Sequence, residues 1–514
     1  MLRESGRRFQ ALPAIVFAGR RLDFAAVDSI SDQVAGALSQ RGIRKGDRIG
    51  LYCINSDWFV LAYFGILKAG AVVVPINLLL NPKEIAFILN DAGARALLYH
   101  GAFAPAVAAL RPLTPGLEFY VCIGAPAVAP DLPWTALAEA GLAPPEVAIA
   151  PAEDLAVILY TSGTTGRPKG AMLTHRNLVS NCWSTQQALQ IAPGAERFLV
   201  VLPMFHAFAA MACMLVPLFT GSAIVPLPRF DPAQVAELIA QERITIFMGV
   251  PSMYIALLHL GAEFTKKFAS LKLCVSGGAA LNVAVMEQFE RRFGQKIYEG
   301  DGPTECSPVT CVNPIGGQIK PGTVGRPVPR VEMKIVDEEG RAVPDGAIGE
   351  ICVRGPNVMK GYWKLPDETR AAFFGDFFRT GDLGLKDADG YFSIVDRKKD
   401  MIIVNGMNIY PRIIEEVLAR CEGVREVAVI GEPHELHGEI PVAYVALKEG
   451  AVVTDVQLRA CCRESLGRHE VPRKFFFLPE LPKNAAGKIM KRELRQHGEL
   501  ERGVSGSGSV ERGA

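Results

Sequence analysis

Between residues 160 and 170 the chain reads Tyr-Thr-Ser-Gly-Thr-Thr-Gly-Arg-Pro-Lys-Gly. Thr161, Ser162, Thr164 and Thr165 bring hydroxyls, Gly163 and Gly166 let backbone amides come close, and Lys169 adds a positive charge. A polyphosphate needs that kind of surrounding. An apolar strand, Leu155–Leu159, leads into the loop, and a helix capped by Thr174 is expected to follow. The segment is not the P-loop of NTPases, which would need glycine at the position of Pro168.

Further segments could do chemistry with it. Tyr298-Glu-Gly-Asp-Gly-Pro-Thr-Glu305 sets the Thr304 hydroxyl beside the Glu305 carboxylate. A hard cation prefers carboxylate oxygen together with phosphates and water, although a Thr-Glu pair also suits a plain helix cap. Ser276-Gly-Gly-Ala-Ala-Leu281 offers Gly277, Gly278 and Ala279, a backbone with almost no side chains. Thr380-Gly-Asp-Leu-Gly384 reads as a turn carrying Asp382, and Asp396-Arg-Lys-Lys-Asp400 as a charged linker. Asn405-Gly-Met-Asn-Ile-Tyr-Pro411 and Pro482-Lys-Asn-Ala-Ala-Gly-Lys488 complete the series.

In this order the motifs resemble those of the adenylate-forming superfamily of acyl- and aryl-CoA synthetases, luciferases and peptide-synthetase adenylation domains. The resemblance runs from about Phe24 to about Arg495. It implies that the 161–169 loop, Gly277, Asp301, Gly302 and Thr304 bind ATP, with Thr304 on the α-phosphate and Glu305 holding Mg²⁺. It implies that Asp382 accepts hydrogen bonds from the ribose hydroxyls, with Arg397 helping, and that Lys399 is a hinge. Gly406 and Met407 would line a tunnel for the CoA thiol arm. Lys488 would clamp the substrate carboxylate and the α-phosphate. One position departs from the pattern: the usual adenine-stacking aromatic falls on Asp301. The implied reaction joins a carboxylic acid to CoA through an acyl-adenylate, with ATP, CoA and Mg²⁺ taking part and no covalent enzyme nucleophile.

The resemblance sets the acyl pocket near Phe205, His206, Phe208 and Met211, beside Gly278 and Ala279, with Met214 and Met248-Gly-Val-Pro251 as further candidates. Apart from His206 these are apolar, with no cation to meet a second carboxylate. Amino-acid-activating relatives carry an aspartate where Phe205-His206 stands. Methionines suit a flexible chain, which favours a medium- or long-chain fatty acid over an aromatic one. A luciferase-like monooxygenase and a non-catalytic binding protein are the remaining alternatives. The intact Thr-Glu, Thr-Gly-Asp and lysine motifs speak against the binding protein.

The elements that must position these residues form an alternating series. Helices are expected at Phe24–Arg41, Trp58–Ala69, Ser252–His259 and Ala284–Phe293, and strands at Arg48–Ile54, Ala71–Pro75, Ile244–Gly249 and Leu271–Ser276. Such alternation implies an α/β fold of helix-covered, mostly parallel sheets, with ligands at the carboxyl ends of strands. Short strands separated by Gly/Asp turns between Gly322 and Asp396 suggest a β-rich lobe. The expected division is a large domain over 1–396, a small mobile α+β domain over 397–500 and a disordered tail over 501–514.

Composition fits this reading and excludes others. The chain has 514 residues, with 55 Lys+Arg against 54 Asp+Glu, so bulk charge drives no nucleic-acid binding. Apolar residues make up 49%, enough for sizeable cores. Eleven scattered cysteines without a Cys-x-x-Cys pair argue against a disulfide scaffold or structural zinc, and for reduced thiols in a cytoplasmic protein. From Phe198 to Pro228 the only potentially charged side chain is His206, but Pro203, Pro217, Gly221, Pro226 and Pro228 cut the stretch below membrane-spanning length. Its middle, Ala207–Leu218, is expected to form a buried helix. Peripheral membrane contact and a homodimer stay open.

Overall fold

The computed structural model describes residues 1–161, 167–405, 407–434, 436–483 and 489–495. The expectations for Ser162, Gly163, Thr164, Thr165, Gly166, Gly406, Lys488 and the tail 501–514 lie outside the described residues. The chain divides into two compact units, Met1–Lys334 with Cys352–Thr380 and Ile335–Ile351 with Gly381–Ala514.

The larger unit holds two mixed sheets. One runs Arg326–Pro327, Cys311–Val312, Ile297–Asp301, Leu273–Ser276, Ile246–Gly249, Arg197–Val200, Ala223–Pro226, Pro13–Phe17, Arg20–Asp23. Its strands from Ile297–Asp301 to Pro13–Phe17 pair in parallel. The other runs Gly361–Tyr362, Lys169–Thr174, Leu155–Thr161, Val72–Pro75, Arg48–Tyr52, Ala94–His100, Phe119–Ile123, Leu132–Pro133. It is parallel from Leu155–Thr161 onward. The fully apolar strands Val72–Pro75, Ala223–Pro226 and Ile246–Gly249 are buried throughout, as helix-covered parallel strands must be.

Local chemistry fixes where the covering helices start. The side chains of Ser56, Asn81, Asp231 and Asn282 each accept a backbone N–H from the helix they open. Helices Pro232–Gln241, Pro251–Leu258 and Val283–Phe293 pack Val235, Tyr254, Phe289 and Phe293 with Phe247 into one core. Tyr52, Ile85, Leu89 and Leu97 belong to a second core, in the other sheet layer.

In the smaller unit, Phe392–Arg397 pairs antiparallel with the end of Phe377–Lys386. A further sheet, ordered Met407–Ile409, Ile402–Val404, Gly438–Leu447, Val424–His434, adds Lys474–Phe477 beside Gly438–Leu447. Helices Pro411–Leu418 and Asp455–Ser465 supply Ile414, Leu418 and Leu458 to its core.

Three expectations are corrected. The 160–170 loop does not run into a helix. It joins two antiparallel strands, Leu155–Thr161 and Lys169–Thr174, and the Thr174-capped helix His175–Ala188 begins only after the second strand. The phosphate reading therefore rests on the loop's own amides and hydroxyls and not on a helix N-terminus. Within the expected helix Ala207–Leu218, Ala209–Leu215 winds as a π-helix before an α-helix takes over at Val216–Thr220. The thiols are not all reduced: Cys421 and Cys461 form a disulfide across 40 residues, joining the turn after the helix Pro411–Leu418 to the helix Asp455–Ser465. The other nine cysteines are buried and outside any disulfide. Among the described residues no helix is long and apolar enough to cross a membrane.

Candidate active site

The strand Gly361–Tyr362 pairs with Lys169–Thr174, setting Tyr362 opposite Ala171. The pairing brings the Tyr362 ring to 5.3 Å from the Lys169 ammonium. The Tyr362 hydroxyl donates to Glu305 Oε1 across 2.9 Å. Burial, and then the Glu305 charge, push the Tyr362 hydroxyl well above its ordinary pKa, so it stays protonated and remains the donor. The Glu305 carbonyl accepts Met359 N–H at 2.7 Å. Of the expected nucleotide residues, Lys169 and Glu305 thus meet on one tyrosine, which the sequence reading missed. Before the loop, the Tyr160 hydroxyl donates to Asp91 at 2.5 Å, and the Asp91 carbonyl accepts from Trp363 Nε1 and Lys364 Nζ. Thr161 Oγ1 reaches the Lys169 carbonyl at 3.5 Å, across the mouth of the loop.

Thr304 and Glu305 sit in one 3₁₀ turn after the strand Ile297–Asp301. Asp301 is half-buried, and its carbonyl accepts both Thr310 N–H and Thr310 Oγ1. Gly302 has no alternative: a Cβ there would lie 1.5 Å from the Pro308 carbonyl oxygen. The Gly277 backbone passes close to Gly300, where a Cβ would meet its carbonyl at 3.2 Å and the Phe208 ring at 3.3 Å. Phe208, expected in the acyl pocket, is therefore beside the glycine loop. Gly278 and Ala279 are exposed, as is His206, whereas Phe205 is buried. Met211 lies on the π-helix and lines an apolar cavity with Ala207, Ala210, Leu159, Leu173 and Tyr63.

Four buried asparagines tie these segments together. Asn55 donates to the carbonyls of Val200, Leu202 and Leu227 and accepts from Met204 N–H, fixing the loop that carries Phe205 and His206. Asn181 pairs with Val309 in both directions, Asn177 donates to Pro356 and Val358, and Asn313 donates to Glu299 and Thr323. Such a side chain satisfies backbone groups at strand ends that no ladder reaches.

In the smaller unit, Asp382 and Arg397 are register partners, and Arg397 Nε lies 2.9 Å from Asp382 Oδ1. Lys399 and Met407 are at the surface. Asp396 accepts the N–H of Arg412 at the start of the helix Pro411–Leu418.

The donor set fits a magnesium ion that comes in with nucleotide. Among the described residues no group of three or more His, Cys, Asp or Glu could cage a metal. Glu305 beside Thr304 offers one carboxylate and one hydroxyl, the sparse protein contribution that Mg²⁺ accepts when phosphates and water supply the rest.

Sheets of this topology, a hydroxyl-rich loop and a Thr-Glu turn define a nucleotide-using ligase. The chain belongs to the AMP-binding enzyme family, matching it over residues 2–363 and its C-terminal domain over residues 413–488. It is 37% identical over 523 residues to a long-chain-fatty-acid–CoA ligase of Bacillus subtilis strain 168, across 96% of this chain and 93% of that protein. The anthranilate CoA ligase AuaEII, solved with anthranoyl-AMP, superposes with a TM-score of 0.91 at 32% identity, covering 98% of each chain. ATP-bound MatB from Rhodopseudomonas palustris gives 0.88 at 33% identity, over 96% of this chain and 98% of that one. The chain is an AMP-forming acid–CoA ligase.

Proposed function

We propose that the protein activates a medium- or long-chain fatty acid as its acyl-adenylate and transfers the acyl group to CoA. The apolar lining along the π-helix carries this reading: Met211, Leu159, Leu173 and Ala210 face one small cavity with no cationic side chain on it, so an acyl chain would enter by displacing these flexible side chains. The similarity to a long-chain-fatty-acid–CoA ligase supports it.

In the first half-reaction a carboxylate oxygen of the acid attacks the α-phosphorus of ATP, and pyrophosphate leaves. The residues at 161–169 hold the phosphates. Thr304 donates to the α-phosphate, and Lys488 offsets the charge that accumulates between carboxylate and phosphate. Glu305, kept in place by Tyr362, would hold Mg²⁺, which when bound supplies charge neutralisation at the phosphates. Asp382 and Arg397 bind the ribose. In the second half-reaction the CoA sulfur attacks the acyl carbonyl carbon, the thiol proton is released, and AMP departs with the bonding electron pair. Gly406 and Met407 border the thiol arm, and Lys399 is the pivot between the two steps.

An aromatic acid is the second reading, favoured by the likeness to an anthranilate ligase. Pyrophosphate release measured over a panel of fatty, aromatic and dicarboxylic acids separates the two. Fatty acids of about ten carbons or more should give the highest kcat/KM, with AMP as the second product. ADP and phosphate as products would refute adenylation altogether, and preference for a benzoate would install the second reading.

A further inference from the structure

The helix Asp57–Lys68 buries Phe59, Tyr63 and Phe64 in the larger unit. The Phe59 and Phe64 rings lie 6.3 and 5.7 Å from the Tyr63 ring, and Tyr63 is only 1% exposed. Among the described residues the Tyr63 hydroxyl makes no hydrogen bond; the groups beside this side chain are aromatic rings and the Cys182 thiol. Other buried tyrosines are served. Tyr254 donates to the Val275 carbonyl at 2.8 Å, and Tyr99 donates to Asp131 at 2.5 Å. A buried hydroxyl without a partner is costly. Phenylalanine, which stands at 59 and 64, would fill the same space without that cost.

Tyr63 also lines the apolar cavity along the π-helix, with Met211, Ala207, Ala210 and Leu215. Burial, and then Cys182, push its hydroxyl well above the ordinary tyrosine pKa, so it stays protonated and able to donate. The Cys182 thiol is 3.5 Å from the Met211 sulfur. The hydroxyl therefore lies toward the methionine that an entering chain displaces. Ser307, also on the lining, already donates to the Asn357 carbonyl at 2.8 Å. A cavity of about 10 Å³ is at the lower limit for a single water, so a resident water is a poor partner for Tyr63. An ionised carboxylate is no better, since no cation lines the cavity to offset its burial.

We propose that Tyr63 is a specificity-determining residue, and that the preferred acid carries a hydroxyl or oxo oxygen along its chain, which accepts from the Tyr63 hydroxyl once Met211 has given way. A site built to bond a substrate oxygen rejects the analogue lacking it, because the protein's own group is then left unpaired. The inference rests on the reading of this cavity as the acyl site, and it narrows the fatty acid named above to an oxygenated one.

The test measures pyrophosphate release by the full-length protein with tetradecanoic acid and with its positional hydroxy and oxo isomers. A donor at a fixed depth meets the chain at one place. One isomer, or two neighbouring ones, should therefore exceed the unsubstituted acid in kcat/KM by about five- to a hundredfold. Tyr63→Phe should bring that isomer and the unsubstituted acid to within about twofold of each other. Its melting temperature should equal or exceed that of the wild-type protein, because a hydroxyl without a partner stabilises nothing.

No isomer preferred over the unsubstituted acid, or a preference that survives in Tyr63→Phe, would overturn the inference. A lower melting temperature for Tyr63→Phe would overturn it too, by showing that the hydroxyl already has a partner such as a bound water. Ala210→Phe separates these failures from that of the acyl-site reading. If it shifts the chain-length ranking of plain acids while Tyr63→Phe changes no preference, the role of Tyr63 alone falls. If Ala210→Phe leaves that ranking intact, the cavity is not the acyl site and both readings fall.

Discussion

Tyr362 holds the carboxylate of Glu305 with its hydroxyl, at 2.9 Å, while its ring lies 5.3 Å from the ammonium of Lys169. One side chain thus links the exit of the hydroxyl-rich loop to the Thr-Glu turn. A hydrogen bond to a charged group contributes about 1.5–3 kcal/mol. Tyr362→Phe keeps the ring and loses the donor, so ATP–pyrophosphate exchange should fall by about ten- to a hundredfold, with a modest drop in melting temperature from the lost bond. Tyr362→Leu also removes the cation–π contact and should be slower still. Exchange rates at saturating ATP decide it, and a Phe variant as fast as the parent would show that Glu305 needs no support from this side.

Asn55 makes three donor contacts and one acceptor contact, all to backbone, at a side chain almost wholly buried. Asn55→Leu would strand the carbonyls of Leu202 and Leu227 and the N–H of Met204, while the Val200 carbonyl keeps the Leu227 N–H. Each unsatisfied buried group costs about 1–3 kcal/mol, so the loss should be at least about 3 kcal/mol in urea unfolding. The loop carrying Phe205 and His206 should loosen with it, raising the KM for the acid more than that for ATP. A change below about 1 kcal/mol would mean that water replaces the side chain there.

Met211 and Ala210 both line the apolar cavity. Ala210→Phe should fill it and shift preference toward shorter acids, whereas Met211→Ala should admit bulkier ones. A methylene in an apolar pocket is worth about 1–3 kcal/mol of discrimination, so the shift should be graded across chain length. The readout is kcat/KM over a homologous series of acids. Unchanged ranking, with altered KM for ATP, would move the acyl site elsewhere.

The cysteines give a chemical prediction. Burial pushes the thiols of Cys53, Cys213 and Cys274 up to about 12 and that of Cys462 up to about 11. At pH 8 they are protonated as well as inaccessible, so an alkylating reagent should label less than one thiol per native chain. Peptide mapping without reductant should recover Cys421 linked to Cys461. Removing a disulfide commonly costs about 2–4 kcal/mol, so Cys461→Ser should lower the stability of the smaller unit by about that much. Rapid labelling of Cys421 in the untreated protein would show the pair open.

Much of this architecture is legible in the sequence, and the parts that are not share a physical reason. The alternation of apolar strands and amphipathic helices is local, so Thr174 marks a helix start correctly, one strand later than the loop before it suggests. The strand Lys169–Thr174 is hidden because Gly-Ala-Met-Leu-Thr reads equally well as the approach to the helix that Thr174 caps. Asn55 bonds to residues 145 to 172 positions away, and Tyr362 meets a carboxylate 57 positions back. Lone polar side chains with such partners have no periodicity to betray them. The Cys421–Cys461 bond fails for the same reason: spacing shows no pair, and only the packing of the turn after Pro411–Leu418 against the helix Asp455–Ser465 brings the sulfurs together.

The π-helix at Ala209–Leu215 has an evolutionary consequence. A π-turn carries one more residue per hydrogen-bonded ring than an α-turn. Deleting a single residue within it lets the segment relax to an α-helix without breaking its hydrogen-bonded spine, resetting which side chains of that turn face the cavity while the residues beyond it keep their faces. The wall of the cavity can thus be re-lettered by one indel, changing several of its side chains in a single step. Point substitution would need several simultaneous changes in a close-packed interior to reach the same wall.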